Sequence, residues 1–597
     1  MKHNDILKKA KTLSLSTALL LSGGMLTGCS DFLEIKPQNE IILEQFWNEQ
    51  KDVENIITGC YSEMESYGMI SRMMIWGEFR SENITYNGTI DKDVDLERLL
   101  KENITASNVY TIWDDFYRVI NRCNTVIKYA PEVAAKDPSY TDSKLKAHIA
   151  EVTALRSLCY FYLIRTFRDV PYSEEAFLDD NQKLDLPATP FNEVLSKLIA
   201  SLESVVNNSL TKYPENNTQT YWDYNCNRVT KSFIQALLCE MYLWQKDYDN
   251  CIKYANSILE QKKLDAKEKG YTEGDFENFG GFPLIDSRSR GANAYGNAFN
   301  EIFVKNNSME SIFELNFRKD DTNGNQLCNG PVCFFYGADG QTAYTKPTTY
   351  VVNDERDALY NVFAKDNGGF DGRAYENIQY GTDGSAVGYY KYAAKGNLVL
   401  KSSNTPYKDA TYSNLWNVYR KDNNVFSRNK SNYILYRLTD ILLLKAEALA
   451  LKITSQQTIT ESTPDYATWK EAFDIVDAIN KRSLIETTPY KHVLDASNYN
   501  TQELLLDLVY AERNRELMFE GKHYFDLVRR SLREENTKYL ASKVVNKDPL
   551  TAAIIGQRMT KMDAIFWPIY IDELKVNKNL HQNSAFGSGD DSSYEKS

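Results

Sequence analysis

Residues 237–259 read LLCEMYLWQKDYDNCIKYANSIL, and their spacing decides what kind of fold the chain can have. Large side chains recur at Leu238 and Tyr242, while small or apolar ones recur at Cys239, Cys251, Ala255 and Ile258. A period of three to four residues on both sides of a short polar break predicts two helices. Small residues on the facing sides let the two lie antiparallel at close range.

This spacing matches a tetratricopeptide helix pair, whose repeats bury a continuous core only by stacking. A second pair is expected from ILLLKAEALAL (441–451) and WKEAFDIVDAINKRS (469–483), with the polar KITSQQTITESTPDYAT (452–468) in place of a short turn. Helical periodicity also covers 41–66, 106–130, 190–207 and 229–262, and in the second of these Trp113, Tyr117, Ile120, Cys123 and Ile127 follow one stripe. The helix within KLKAHIAEVTALRSLCYFYLIRTFRDVPY (144–172) must stop at or before Val170, because Pro171 donates no backbone hydrogen bond and restricts its predecessor. Between 261 and 430 the character changes: 17 of the 28 glycines fall in 261–400, among many Tyr, Phe, Asn and Asp. Helix is disfavoured there and turns and long loops are expected. After 430 helices return. NTQELLLDLVYAERNRELMFEG (500–521) reads as a helix capped by Asn500, with Glu503 at its third position and Gly521 as the left-handed residue after it. Its Glu512, Arg513, Arg515, Glu516 and Glu520 stand at pairing distances along a helix and read as scaffold rather than catalytic groups. The expected fold is mostly α, a tetratricopeptide-like helical frame with a large loop-rich inserted lobe: 29–260 helical, 261–430 inserted, 431–597 helical again.

The N-terminus has a separate logic. Lys2, Lys8, Lys9 and Lys11 precede an apolar run that ends in TALLLSGGMLTGCS (17–30), too short to span a bilayer, which needs about 20 apolar residues. This is the layout of a secretory signal peptide, 1–28. Leu26-Thr27-Gly28-Cys29 resembles the lipobox of bacterial lipoproteins, which implies that Cys29 becomes residue one and carries the lipid anchor. Several acyl chains hold a protein on a membrane far better than one. The mean hydropathy of −0.50 and the lack of a second long apolar stretch place the rest of the chain on a membrane rather than in it. The net charge is −13, becomes about −16 without residues 1–28, and argues against nucleic acid as a partner. Of the eight later cysteines, Cys123, Cys159, Cys239 and Cys251 fall in helical apolar patterns and read as small buried residues. Cys328 and Cys333 are close enough for a bridge or a metal clamp, and no second Cys/His cluster accompanies them to favour a metal.

The chain as a whole resembles the SusD/RagB family of outer-membrane nutrient-binding lipoproteins. The likeness is carried by CSDFLEIKPQNE (29–40), IWDDFYRVINRCN (112–124), HIAEVTALRSLCYFYLIRTFRDVPY (148–172), YILYRLTDILLLKAEAL (433–449), AINKRS (478–483), YAERNRELMFEGKHYFDLVR (510–529) and FWPIYIDELKVNKNLHQNSAF (566–586), with Asp371-Gly372-Arg373 as a counterpart of an Asp-x-Arg element. The chain departs from the pattern at His523, where the family often has Arg, and at Tyr570, where it commonly has Pro. The resemblance implies an outer-membrane lipoprotein facing the cell exterior, without cofactor or metal. It would capture oligosaccharide, or peptide in some members, and deliver it to a SusC-like TonB-dependent transporter for import. Forty Tyr, 26 Phe and 8 Trp supply flat faces with polar handles for such ligands.

Two loop-like stretches are chosen as the candidate ligand site on composition. MMIWGEFRSENITYNGT (73–89) offers Trp76, Arg80, Asn83 and Tyr86, and CFFYGADGQTAY (333–344) offers Phe335, Tyr336 and Tyr344. An enzyme is the rival reading. After Cys29 only His148, His492, His523 and His581 remain, with no His-Glu-x-x-His, Gly-x-Ser-x-Gly or phosphate loop, although a glycosidase's carboxylate pair needs no local motif. A pure protein-interaction scaffold is the other, since such helices often bind proteins. The anchor is directly testable: Cys29→Ala should abolish fatty-acid labelling and release the protein from the membrane or leave an unprocessed precursor, and unchanged labelling would refute it.

Overall fold

The computed structural model describes residues 46–587 except 89–92, 179–181, 184, 215–224, 288–295, 318–329, 338–342, 353–362, 364–369, 381–385, 390, 393–397, 401–418, 422–430 and 486–493. The chain divides into two units, Met1–Asn48 and Glu49–Ser597. In the first, only 46–48 are described, and there Phe46 and Trp47 meet edge to face with ring centroids 5.2 Å apart. Cys29, Cys328 and the side chain of Cys333 lie outside the described residues, so the anchor and the bridge-or-clamp expectation are not addressed by the structure.

The second unit is mostly α. Helices α1 (Gln50–Met64) and α2 (Tyr67–Met74) run into a π-turn, Ile75–Phe79, followed by strand β1 (Ile84–Tyr86). Then come α3 (Val94–Leu100), α4 (Asp114–Lys136), α5 (Asp142–Phe167), α6 (Phe191–Val205), α7 (Lys231–Gln245) and α8 (Tyr248–Glu268). The lobe contributes β2 (Ser311–Leu315), α9 (Gly330–Tyr336) and β3 (Thr345–Pro347). The chain closes with β4 (Tyr433–Arg437), α10 (Leu438–Lys452), α11 (Tyr466–Arg482), α12 (Gln502–Leu517), α13 (His523–Glu534) and α14 (Ile571–Val576).

The helices stack in succession, α4 on α5, α5 on α6, α6 on α7, α7 on α8, α8 on α10, and α10 on both α11 and α12. The pair predicted from 237–259 is α7 and α8. The Cys239 and Cys251 sulfurs are 3.6 Å apart, and Tyr242 stacks on Tyr254 with centroids 5.9 Å apart. Lys246 makes the reversal in the left-handed region at φ 67°. The second pair is α10 and α11, whose Leu442, Leu443, Ala446, Ile475, Val476 and Ile479 share one core with Leu505 and Val509 of α12. Helix α5 ends at Phe167, before Pro171 as required.

Three expectations change. Helix α8 runs through residue 260 to Glu268, and the buried strand β2 pairs antiparallel with β4, so the lobe grows out of the frame's own core rather than from a boundary at 261. Helix α12 is capped by Thr501, whose side chain accepts from Leu504 N at 3.3 Å, and not by Asn500. Glu512, Arg513, Arg515, Glu516 and Glu520 are buried, and apart from Arg515–Glu512 they pair across the fold rather than along the helix. Glu516 receives Arg437 at 2.6 Å and Arg373 at 2.9 Å, and also Arg482. Glu520 receives Arg437 and Lys391, each at 2.7 Å. Arg513 reaches Asp526 at 2.9 Å and Asp440 at 3.0 Å.

Burial by itself would raise the Glu516 carboxyl, but the guanidinium groups of Arg482, Arg437 and Arg373 hold it well below the usual range. Burial likewise opposes, and Arg529 and Arg533 overcome it at, Glu447, which is lowered to about 2. A carboxyl lowered by folding contributes stability above its unfolded value and loses it as pH falls through the folded value. Urea unfolding should therefore show stability falling as pH drops from about 4.5 towards 2, and Glu516→Gln should cost about 3–5 kcal/mol at neutral pH by leaving three buried cations short of their counter-charge. A flat acid profile or a neutral variant would contradict this.

Candidate functional site

The two stretches singled out in the sequence meet. β1 pairs antiparallel with β3, with Ile84 opposite Pro347 and Tyr86 opposite Thr345. Asn87 N donates to Tyr344 O at 3.0 Å, and its side-chain amide donates to Ala343 O at 2.9 Å. A segment of the N-terminal half and one of the inserted lobe are thus locked edge to edge.

Most of the residues chosen from those stretches face inward. Trp76 is fully buried in the π-turn, stacked on Phe116 with centroids 4.7 Å apart, its indole donating to Tyr110 O at 2.8 Å. Arg80 is buried against Glu102 at 2.9 Å and donates to the carbonyls of Ala564, Ile565 and Phe566 at 2.8–3.2 Å, pinning the C-terminal segment. Asn83 donates to Glu78 and Asn514, both at 2.8 Å. Phe335 packs edge-on against Phe79, and the Tyr336 hydroxyl donates to Phe519 O at 3.0 Å. A ring with both faces covered offers none to a ligand, so Trp76, Arg80, Asn83, Phe335 and Tyr336 are structural. The π-turn that buries Trp76 also brings Gly77 against Gly521, where a Cβ would lie 1.8 Å from the Gly521 carbonyl oxygen, so no larger residue fits.

Tyr86 and Tyr344 are half-buried, the Tyr86 hydroxyl being covered, and they stand in company the sequence reading missed. Tyr344 stacks on Phe334 with centroids 3.9 Å apart, and Tyr67, 51% exposed, stands edge-on to Phe334 at 6.2 Å. Tyr67 is the first residue of α2, after the Ser66 cap, so its ring projects beyond the helix start. Gly330 makes room for it: a Cβ there would lie 3.0 Å from the Tyr67 ring. Beside this platform the Tyr110 hydroxyl donates to Asp93 at 2.7 Å. Burial, then Asp93 and Tyr344, push Tyr67 up to about 12, so its hydroxyl keeps its proton at neutral pH. The arrangement is a half-exposed aromatic surface bordered by phenol hydroxyls and a carboxylate, suited to the faces and hydroxyls of a sugar. Among the described residues no group of three or more His, Cys, Asp or Glu could hold a metal ion.

Comparison with known proteins bears on this architecture. The SusD family model matches residues 282–586, and one described as "Starch-binding associating with outer membrane" matches 31–205. The chain belongs to the SusD family. SusD-like protein P38 of Formosa agariphila is 25% identical over 97% of this chain and 99% of its own length, and SusD-like protein P2 of the same organism is 23% identical over 85% of this chain and 89% of its own. Among solved structures, a SusD superfamily protein from Bacteroides thetaiotaomicron shares 22% identity and a TM-score of 0.57, covering 91% of this chain and 99% of the other. Surface glycan-binding protein A from the same organism, solved with laminarihexaose, shares 18% identity and a TM-score of 0.56 over 90% of this chain and 100% of the other.

Within this SusD-family fold His523 has a clear role. It is buried with Nε2 3.0 Å from Glu82, and although burial favours the neutral ring, Glu82 and then Glu78 raise its pKa above the usual histidine value. Trp76→Ala should behave as a core deletion, lowering stability by about 3–5 kcal/mol by denaturant unfolding. Stability equal to wild type would return Trp76 to the candidate binding residues.

Proposed function

We propose that this SusD-family protein captures oligosaccharide at the cell surface, held to the outer membrane through Cys29, and passes it to a SusC-like TonB-dependent transporter for import. The observation that carries the proposal is the half-exposed Tyr67–Phe334–Tyr344 platform, with Tyr86, Tyr110 and Asp93 beside it, at the junction of β1 and β3. A relative of the same fold that holds laminarihexaose supports a glycan as the ligand, and the family model's description supports the outer membrane as the place. Among the described residues no helix is long and apolar enough to cross a membrane, and the proposal gives import to the partner chain. Stacking of a sugar face on Tyr344 and Tyr67 would bind without turnover.

A glycan and peptide array with the protein beginning after Cys29 identifies the ligand, and calorimetry on that ligand tests the site. Tyr67→Ala and Tyr344→Ala should each weaken binding by about 1–3 kcal/mol with little change in the thermal transition. Full binding by both folded variants would place the site elsewhere. Binding of peptides but no glycans would replace oligosaccharide by peptide, and glycan turnover would replace capture by catalysis.

A further inference from the structure

The inserted lobe meets α11 and α12 around a small cavity of about 30 Å³, walled by Arg373, Glu376, Lys391, Arg437, Arg482 and Glu516. The lobe enters this junction through a two-residue strand, Phe370–Asp371, paired antiparallel with Leu484–Ile485, and Gly372 N donates to Ser483 O at 2.9 Å. The short helix Arg373–Asn377 follows and carries Glu376.

The ion pairs around the cavity form a set that balances. Arg373 pairs with Asp371, Glu512 and Glu516, Arg437 with Glu516 and Glu520, Arg482 with Glu310 and Glu516, Lys391 with Glu520, and Arg515 with Glu512. Five cations thus face five carboxylates, and all of them are buried. Glu376 is a further carboxyl, only 7% exposed, and among the described residues it forms no ion pair. The cavity beside it has room for about one or two waters. That is too little to hydrate a carboxylate.

The charges that reach Glu376 are Asp371 and Arg373 of its own segment, Arg482 of α11 and Glu516 of α12, while Lys391 and Arg437 on the cavity wall are engaged by Glu520. Burial first, with Asp371 and Glu516 adding to it against Arg373 and Arg482, pushes the Glu376 carboxyl up to about 7.

We propose that Glu376 is a proton-held latch of the inserted lobe: protonated, it leaves the surrounding ion pairs balanced and the lobe seated on α11 and α12, and ionised, it puts an unpaired charge beside Arg373 and loosens that seat. The proposal is independent of the glycan reading. A carboxyl raised by folding contributes stability that is complete below its unfolded value and is lost as pH rises through its folded value. For Glu376 that window runs from about 4.5 to about 7, opposite in direction to the acid loss at Glu516 and Glu447.

Hydrogen–deuterium exchange on the full chain tests it, comparing residues 370–377 at about pH 5.5 and about pH 8 after correction for the intrinsic exchange rate. Opening of this segment in the wild type should rise by about tenfold or more between the two. Helices α7 and α8, remote from Glu376, serve as the control and should not share the rise. Glu376→Gln keeps the size of the side chain without its charge, so the segment should be equally protected at both pH values, and at about pH 8 the variant should resist urea at least as well as the wild type. Unchanged wild-type protection of 370–377 would overturn the proposal without need of any variant. A pH dependence retained in E376Q would assign the effect to another group, and a variant weaker than wild type at about pH 8 would make Glu376 a structural partner; either result overturns the proposal as well.

Discussion

The carboxylate of Glu516 is the point at which the fold is tied together. Three guanidinium groups converge on it from elements far apart in sequence: Arg373 from the inserted lobe, Arg437 from β4 and Arg482 from the end of α11. Neighbouring groups extend the lattice, with Arg482 also on Glu310 and Arg373 also on Asp371 and Glu512. A buried network of this kind adds less net stability than its number of contacts suggests, because every charge has been taken out of water. Its effect is to make one arrangement acceptable: moving any of these segments would leave a buried charge without a partner.

That constraint is transmitted to the aromatic platform proposed as the ligand face. Arg373 fixes the lobe to α12, and Lys391 donates from the lobe to the carbonyls of Glu516 and Met518 at 3.0 and 2.9 Å. The turn after α12 then carries Gly521, at φ 72°, against Gly77 of the π-turn, with a contact that only glycine permits. From the π-turn the chain enters β1, and β1 holds β3. Tyr67, Phe334 and Tyr344 therefore lie on a surface whose supports are charged, packed and hydrogen-bonded, so the platform is set before a ligand arrives and little ordering cost remains to be met on binding.

The helical frame was legible in the sequence because it rests on local periodicity. The stripe of Leu238, Cys239, Tyr242, Cys251 and Ala255 needs only 3.6 residues per turn to predict two helices that touch, and they do so at Cys239 and Cys251. Pro171 set a limit that α5 respects, ending at Phe167 where Arg168 turns the chain at φ 71°, and the family motifs along the chain agreed with the order of the elements. The two stretches chosen for the candidate site do meet, through the bonds of Asn87 to Tyr344 and Ala343 beside the β1–β3 pair. What sequence could not settle was direction. In the run Phe334-Phe335-Tyr336 three aromatics follow one another on a helix, and two turn inward to Phe79 and Phe519 while Phe334 faces Tyr344 and Tyr67. Composition makes the three equivalent.

Sequence alone thus determined the helix pairs, where several helices stop, the change of character between 261 and 430, and the signal-like N-terminus ending at Cys29, all properties of neighbours along the chain. Tertiary structure decided which charges pair, which aromatics are covered and which glycines touch. The partners of Glu516 stand 34, 79 and 143 residues away, and Gly77 meets a carbonyl from the far end of the chain. No spacing rule reaches that far: burial and contact depend on which segments are brought together, and it is the packed frame that brings them.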